Sequence, residues 1–446
     1  MSFFDDLATS LERNRISRRQ ALWLLGAGAA GAGLSGCATS PVTGKSILVG
    51  MSEAQEIQAD AQVAPHQFSQ DLGAIQDESV NRYVAGLGQR MGALTHRPQM
   101  PYSYRVLNAN YVNAYTFPGG AMGVTRGILA DLDDEAQLAA LLGHELGHVN
   151  ARHAAQRQGQ NLVAQAALAG LNVAAQTSDW AGLMNIGGQI GASALLASYS
   201  REHEREADAL GQEYLVKAGY PATGMVRLHQ LLVAEEKSAP SLLQTMFSTH
   251  PMSRERMKAA QAAADTRYRI SNSLNPGRER FMDSTASLRR IRPTIDACKN
   301  GETAMAARQY AKAQAEFQTA LTRTPRDYAS NLRMAQCLQA QGQTAKAVSY
   351  ADTAREIYPQ EAQAYKLAGV LALQQRDAGR AYDNLDRFDR LLPGDAGITF
   401  LKGVSLEGMG NRQAAAQHYV AYLRQSQQGN AAQYSYNRLK AWGVVK

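Results

Sequence analysis

Residues Leu142 to His153 read LGHELGHVNARH, and three of the chain's 9 histidines fall inside this stretch. On a helix, residues four apart lie on one face about one turn apart, so His144 and His148 direct both imidazoles to one point. Leu138, Leu141, Leu142, Leu146 and Val149 continue the same helix as an apolar stripe. The two histidines fall along its edge, which predicts a half-buried pair beside a core and facing a cleft. Glu145 points between the pair and the stripe, where it is better placed to act as a base than as a ligand. H-E-x-x-H on a helix thus divides the work between two metal ligands and one general base. His153, five residues after His148, is rotated well away from the pair and reads as structural.

A catalytic zinc site needs a third protein ligand. The stretch Tyr199 to Gly211, YSREHEREADALG, offers Glu202, Glu204, Glu206 and Asp208, with Glu204 and Asp208 a turn apart. Taken alone it reads as a surface helix with dense charge. H-E-x-x-H followed by E-x-x-A-D resembles the HtpX and CAAX-prenyl-protease family of zinc metallopeptidases, which are gluzincins. The resemblance implies one zinc ion (Zn2+) per chain, held by His144, His148 and Glu204. It makes Glu145 the catalytic base, Ala207 a small spacer and Asp208 the acid that orients a ligand imidazole. Glu202 and Glu206 are then solvated neighbours.

Two further stretches extend the resemblance. NAYTFPGG at Asn113 to Gly120 is similar to the segment ahead of the family's active-site helix, beside an edge strand. An exposed edge there would hold unfolded polypeptide by backbone pairing. STHPMSRERM at Ser248 to Met257 resembles the family's His-Pro loop, with Arg256 at the basic position. His250 then reaches the metal cleft as an oxyanion stabiliser or as a plug on the open position, unless the His-Pro pair only starts a helix.

The C-terminal third repeats. Pro325, Pro359 and Pro393 stand 34 residues apart, as do Ala313, Ala347, Ala381 and Ala415, and as do Gly369 and Gly403, with Gly301 two periods before Gly369. This period resembles a tetratricopeptide array, in which a small residue within the first helix of each pair permits close packing and proline ends the second. Phe317, Leu385 and Tyr419 occupy the place of a large residue, and Ala351 departs from it. The tail YSYNRLKAWGVVK supplies a capping helix. Such an array binds protein or peptide on its concave face.

At the other end, Arg13, Arg15, Arg18 and Arg19 precede an apolar run, Ala21 to Leu34, and LSGC at Leu34 to Cys37. Residues 1–36 read as a signal peptide with a lipobox, and Cys37 as the lipidated residue. SRRQAL at Ser17 to Leu22 is similar to a twin-arginine export signal, with Ala21 where that pattern prefers phenylalanine. The apolar run falls short of the about 20 residues a membrane span needs. Residues 38–50 read as a turn-rich tether. Cys298 and Cys337 then lie in an oxidising compartment, either paired or as two separate buried thiols. The net charge of +7 comes from 46 basic and 39 acidic residues scattered without long runs, which argues against nucleic acid as a partner. The apolar stretch from Asn161 to Ser198 is interrupted too often by polar residues for a span, and reads as a core or lid helix.

The fold expected is mainly α: a gluzincin peptidase domain at 37–290, α+β with a small sheet, then an α-solenoid with a capping helix at 291–446. Lipobox, peptidase and repeats together resemble the BepA-like lipoproteins of Gram-negative bacteria. The resemblance implies a periplasmic endopeptidase acting on unfolded or misassembled outer-membrane proteins, its repeats docking on substrate or assembly machinery. Ala38, where aspartate favours inner-membrane retention, fits an outer-membrane lipid anchor. The competing reading is a chaperone or docking scaffold with a latent peptidase site. A hydrolase of cell-wall peptides is disfavoured, because nothing resembles a glycan-binding module.

Overall fold

A computed structural model describes residues 36–172, 198–238, 250 and 254–445. The leader ahead of the lipobox cysteine and most of the 161–198 stretch lie outside the described residues. The segment expected as a tether is instead an antiparallel hairpin of β1 (Cys37–Thr39) and β2 (Ser46–Leu48). Val49 and Met51 are buried just after it, and Gly50 N–H donates to Ala155 O at 2.8 Å, so the hairpin is fixed to the domain.

α1 (Glu53–Gln70) opens in a capping box, with Ser52 Oγ accepting from Gln55 N–H and the Gln55 side chain accepting from Ser52 N–H. α2 (Glu78–Gly92) follows Asp77, whose carboxylate accepts from Ser79 and Val80 N–H. A three-stranded sheet comes next, of β3 (Ser103–Leu107), β4 (Ala114–Thr116) and β5 (Ala121–Thr125), in the order β3-β5-β4. β3 runs parallel to β5, and β4 antiparallel to it. β5 stops at Thr125, whose hydroxyl accepts from Ile128 N–H and caps α3 (Arg126–Asp131). β4 ends the strand order, yet Ala114, Tyr115 and Thr116 are all buried. The exposed edge anticipated for substrate pairing is therefore not presented to solvent.

α4 (Glu135–Asn150) carries the histidine motif and is capped by Asp134, which accepts from Gln137 N–H. Every residue of α4 is buried, so the half-buried helix expected from its apolar stripe is in fact central. A left-handed Arg152, φ 59°, then turns the chain into α5 (His153–Asn172). α6 (Arg201–Lys217) covers the polar side of α4; α7 (Thr223–Ser238) and α8 (Arg254–Asp265) complete the domain. Two glycines set how closely α4 and α6 approach. A Cβ on Gly143 would lie 2.7 Å from Gly211 O, and one on Gly147 would lie 2.7 Å from Ala207 O. The apolar core around them includes Leu87, Val106, Val124, Leu142, Tyr214 and Met225.

Between the peptidase domain and the solenoid stand two short helices, α9 (Arg278–Ser284) and α10 (Ala286–Arg290). The solenoid consists of the pairs α11 (Arg292–Ala306) with α12 (Tyr310–Arg323), α13 (Tyr328–Ala340) with α14 (Thr344–Ile357), α15 (Ala362–Gln374) with α16 (Ala378–Leu391), and α17 (Ala396–Gly408) with α18 (Arg412–Gln425). A final helix, α19 (Asn430–Ala441), packs on α18. Pro325, Pro359 and Pro393 each stand two residues beyond the second helix of a pair, where they cannot continue it.

The small and large positions of the repeat meet in space. A Cβ on Gly301, Gly369 or Gly403 would lie 2.5, 2.7 or 2.8 Å from Phe317, Leu385 or Tyr419 respectively. In the remaining pair the small Ala351 stands at the large position and Ala335 at the glycine position, and both are buried. Cys298 and Cys337 are separate buried thiols, the first against Ser330 Oγ at 3.1 Å and the second donating to Tyr310 O at 3.4 Å.

A buried ion pair ties the solenoid to the start of α3. Arg126 donates to both oxygens of Asp327 at 2.6 and 3.0 Å and to Asn110 Oδ1. Asp327 also accepts from Ser330 N–H and caps α13.

Candidate metal centre and active site

One donor atom from each of His144, His148, Glu204 and His250 lies within 4.8 Å of every other. His144 Nε2 stands 3.1 Å from His148 Nε2 and 3.3 Å from His250 Nδ1. Glu204 Oε1 is 3.0 Å from His250 Nδ1 and 3.4 Å from His148 Nε2. Around a small tetrahedral cation, bonds of about 2.0–2.1 Å place ligand atoms about 3.3–3.4 Å apart. These four separations lie close to that spacing, within a group that spans no more than 4.8 Å, and imidazole nitrogens with a carboxylate oxygen are the donors such a cation takes. Without a cation each of these contacts needs a ring proton between its two atoms, whereas one cation would take all four donors at once. The residues present therefore fit a metal ion.

Local structure explains the convergence. The helical period brings the two α4 imidazoles to one side, and the glycine seam lets α6 come close enough for Glu204 to reach them. Asp208, one turn after Glu204, places Oδ1 at 3.0 Å from His144 Nδ1, an ion-pair contact that falls short of hydrogen-bond geometry. Arg256 of α8 clamps both acids: its Nε and Nη2 donate to Asp208 at 2.6 and 2.7 Å, and its Nη1 stands 2.7 Å from Glu204 Oε2. His229 Nε2 meets Asp208 Oδ1 at 3.2 Å. The Tyr199 ring stacks on His148 with centroids 4.0 Å apart.

Burial shapes the charges. It would raise Asp208, but His229 and Arg256 hold that carboxyl well below the usual range. It would also raise Glu204, where the surrounding histidines, His250 first, prevail and keep it low. Burial holds the His148 imidazole well below 6.5, in the neutral form that ligates. Glu145 is the exception: burial pushes its carboxyl up against the pull of His250 and His144. Neither Glu145 oxygen has a hydrogen-bond partner among the described residues, and His250 Nε2 stands 3.9 Å from Oε1.

The structure brings together all six residues singled out around the motif, His144, Glu145, His148, Glu204, Asp208 and His250, although His144 and His148 are buried rather than at a cleft edge. Cys37 lies apart and exposed, on β1. His153 was expected to point away, yet its Nδ1 is 2.9 Å from His148 Nδ1. Glu206, expected to be solvated, stands 3.2 Å from His153 Nε2. The reason is the break at Arg152, which ends the helix whose continuation the expectation assumed. Tyr199 and His229 carry no local sequence signal for their places.

Comparison with known proteins agrees with this geometry. Residues 78–264, which contain every donor of the cluster, match the model of peptidase family M48, and residues 304–371 match a tetratricopeptide repeat model. The chain is similar to the beta-barrel assembly-enhancing protease of Yersinia pestis, 28% identical over 196 residues that cover 43% of this chain and 40% of the relative. It is similar to the protein of the same name from Escherichia coli, 27% identical over 234 residues, covering 51% and 47%. It also resembles the mitochondrial metalloendopeptidase OMA1 of Schizosaccharomyces pombe, 30% identical over 180 residues, covering 40% and 50%. The chain thus spans half or less of the length of these relatives. Its central region is a peptidase domain of family M48, followed in the same chain by tetratricopeptide repeats.

Proposed function

We propose that this chain is a zinc-dependent endopeptidase, with His144, His148 and Glu204 as the metal ligands and Glu145 as the general base. The observation that carries the reading is Glu145: a fully buried carboxylate beside the donor cluster, with both oxygens free of hydrogen bonds among the described residues. Leaving a buried carboxylate without partners is expensive, and such a group is retained where chemistry uses it. The chemistry a bound zinc supplies is Lewis acidity toward water and a peptide carbonyl. Glu145 takes the proton of the attacking water and passes it to the leaving amine. Asp208 fixes the His144 ring, and Arg256 holds Glu204 and Asp208 in place.

The substrates proposed are unfolded or misassembled outer-membrane proteins in the periplasm, where the repeats dock on substrate or on assembly machinery. The names of the bacterial relatives support that reading, and the solenoid supplies the binding surface. Anchoring to the outer membrane through a lipid on Cys37 is proposed from the LSGC sequence and from the exposure of that residue. Mass spectrometry of the N-terminal peptide from purified envelopes tests it; an unmodified Cys37 refutes it.

A second reading has its own observation. His250 Nδ1 sits among the donors and gives a set of four, whereas a catalytic zinc site keeps one position for solvent. On this reading His250 plugs the site and the peptidase is latent until that side chain withdraws. Casein digestion with and without a zinc chelator separates the readings. Chelator-sensitive cleavage by wild type, lost in Glu145→Gln with zinc retained, supports the peptidase. Cleavage only by His250→Ala supports latency. A metal-loaded Glu145→Gln chain that cleaves at the wild-type rate refutes the base assignment.

A further inference from the structure

The two ligand histidines of α4 differ in what lies behind them. His144 Nδ1 faces the Asp208 carboxylate directly at 3.0 Å. His148 Nδ1 faces another imidazole, His153 Nδ1, at 2.9 Å, and His153 Nε2 in turn stands 3.2 Å from Glu206 Oε2. His153 is completely buried, and its ring stacks on His203 with centroids 4.2 Å apart and planes 19° apart. Glu206 is partly exposed at the far end of this row.

Proton bookkeeping gives the row one direction. His148 Nε2 points into the donor cluster and offers its lone pair there, so the ring proton belongs on Nδ1. Two ring nitrogens 2.9 Å apart form a hydrogen bond only when one of them lacks a proton, so His153 Nδ1 accepts. The proton of neutral His153 then sits on Nε2, where Glu206 accepts it. Each assignment follows from the one before, and each leaves a donor facing an acceptor.

From this arrangement we propose that His153 and Glu206 are positioning residues for the ligand His148, the outer members of a hydrogen-bonded chain that fixes its tautomer and ring orientation. The proposal rests on the reading of His148 as a metal ligand. Its logic is that of a carboxylate behind a ligand histidine, extended by one imidazole. Helix geometry explains the extension. Asp208, four residues after Glu204, shares its face of α6 and serves His144, whereas Glu206, two residues on, is turned to the opposite side toward the start of α5. The gap to His148 is bridged because Arg152 takes φ 59° and swings His153 back over the motif. Arg152 is itself held by Glu56 Oε1 at 2.9 Å and Met51 O at 2.8 Å.

The test measures zinc affinity of the full chain by competition with a chromophoric chelator, alongside the melting temperature of the metal-free protein. His153→Ala removes the acceptor, and its affinity should fall about 10- to 100-fold. His153→Asn restores an acceptor oxygen at the Nδ1 position and should stay within about 3-fold of wild type. Glu206→Ala, at a partly exposed site, should bind about 3- to 10-fold more weakly. His153→Ala truncates a buried ring and should melt lower without metal than the other two variants, so the decisive comparison is the affinity of His153→Asn and Glu206→Ala, which leave the packing nearly intact. Wild-type affinity in His153→Ala, or equal losses in His153→Ala and His153→Asn, overturns the proposal. If both His153 variants fail to fold, wild-type affinity in Glu206→Ala overturns it. A wild-type chain that binds no zinc overturns the ligand assignment itself, and this proposal with it.

Discussion

Replacing Gly147 by alanine asks whether the metal cluster depends on how closely two helices approach. The added Cβ would stand 2.7 Å from Ala207 O and 2.9 Å from Ala207 Cα, where ordinary contact begins at 3.4 Å. Both atoms are helix backbone, so no rotamer change relieves the clash, and α4 and α6 must separate by about 0.7 Å. Ala207 lies three residues from Glu204, so the movement carries Glu204 away from His148 and His144. Metal–ligand distances tolerate about 0.2 Å, and the displacement is several times that. The fold should suffer less than the site. Overpacking costs about 1–3 kcal/mol, and alanine regains about 0.8–1 kcal/mol over glycine within a helix, leaving a net loss of about 0–2 kcal/mol. For a chain of this size that is a melting shift of no more than about 4 °C. Zinc affinity, measured by chelator competition, should fall at least about 10-fold. Gly86→Ala in α2 is the control, because its Cβ would meet only Arg90 Nη1 at 3.8 Å. Wild-type zinc affinity in Gly147→Ala would refute the claim that the glycine seam places Glu204.

Three further outcomes are expected. Burial pushes the Asp60 carboxyl up to about 7, against the Ala121 and Gly119 N–H donors that lower it. The folded state then holds a proton that the unfolded chain, with its value near 3.8, has released. Stability from this group is full below about pH 4 and is lost as pH rises toward about 7. Wild type should therefore melt lower at pH 8 than at pH 5, and Asp60→Asn should flatten that slope; parallel profiles would count against it. Arg126→Ala leaves Asp327 buried and unpaired and should lose about 3–5 kcal/mol in urea unfolding. Pairing Arg126→Met with Asp327→Asn, which keeps a capping side chain, should recover part of this, and no recovery would place the cost elsewhere. Gly301→Ala drives a Cβ to 2.5 Å from the Phe317 ring and should cost about 1–3 kcal/mol of solenoid stability by the same assay, an expectation sunk by an unchanged midpoint.

Chemistry carried by helical spacing was legible before any coordinates. His144, Glu145 and His148 are linked by a period that folding does not alter, and metal ligation constrains which residue types can stand there. Glu204, Asp208 and Arg256 were legible only because their motifs resemble a known family; nothing in their own neighbourhood separates them from a charged surface helix. The solenoid was legible because one contact recurs, with glycine opposite Phe317, Leu385 and Tyr419 at a fixed offset. Its exception is also physical, since Ala351 stands at the large position where Ala335 already fills the glycine position. The burial of α4 was not legible. An apolar stripe reports only the face that meets other apolar groups, and here the polar face is covered as well, by carboxylates and an arginine from α6 and α8.

The charged run from Arg201 to Asp208 shows what composition conceals. A solvated face would leave its four acids interchangeable, but their angles around α6 give each a different environment: Glu202 faces water, Glu204 and Asp208 face inward, and Glu206 reaches His153. What fixes those angles lies elsewhere in the chain. Gly143 and Gly147 bring the helix close, Arg256 pairs with both inward acids, and the left-handed Arg152, held by Glu56 and Met51, turns the His153 imidazole toward Glu206. That turn contains neither glycine nor proline, because its conformation is fixed by contacts with α1 and the segment just before it rather than by local preference. Reading His153 as the continuation of a helix was thus an error about the backbone, and no count of histidines could have corrected it.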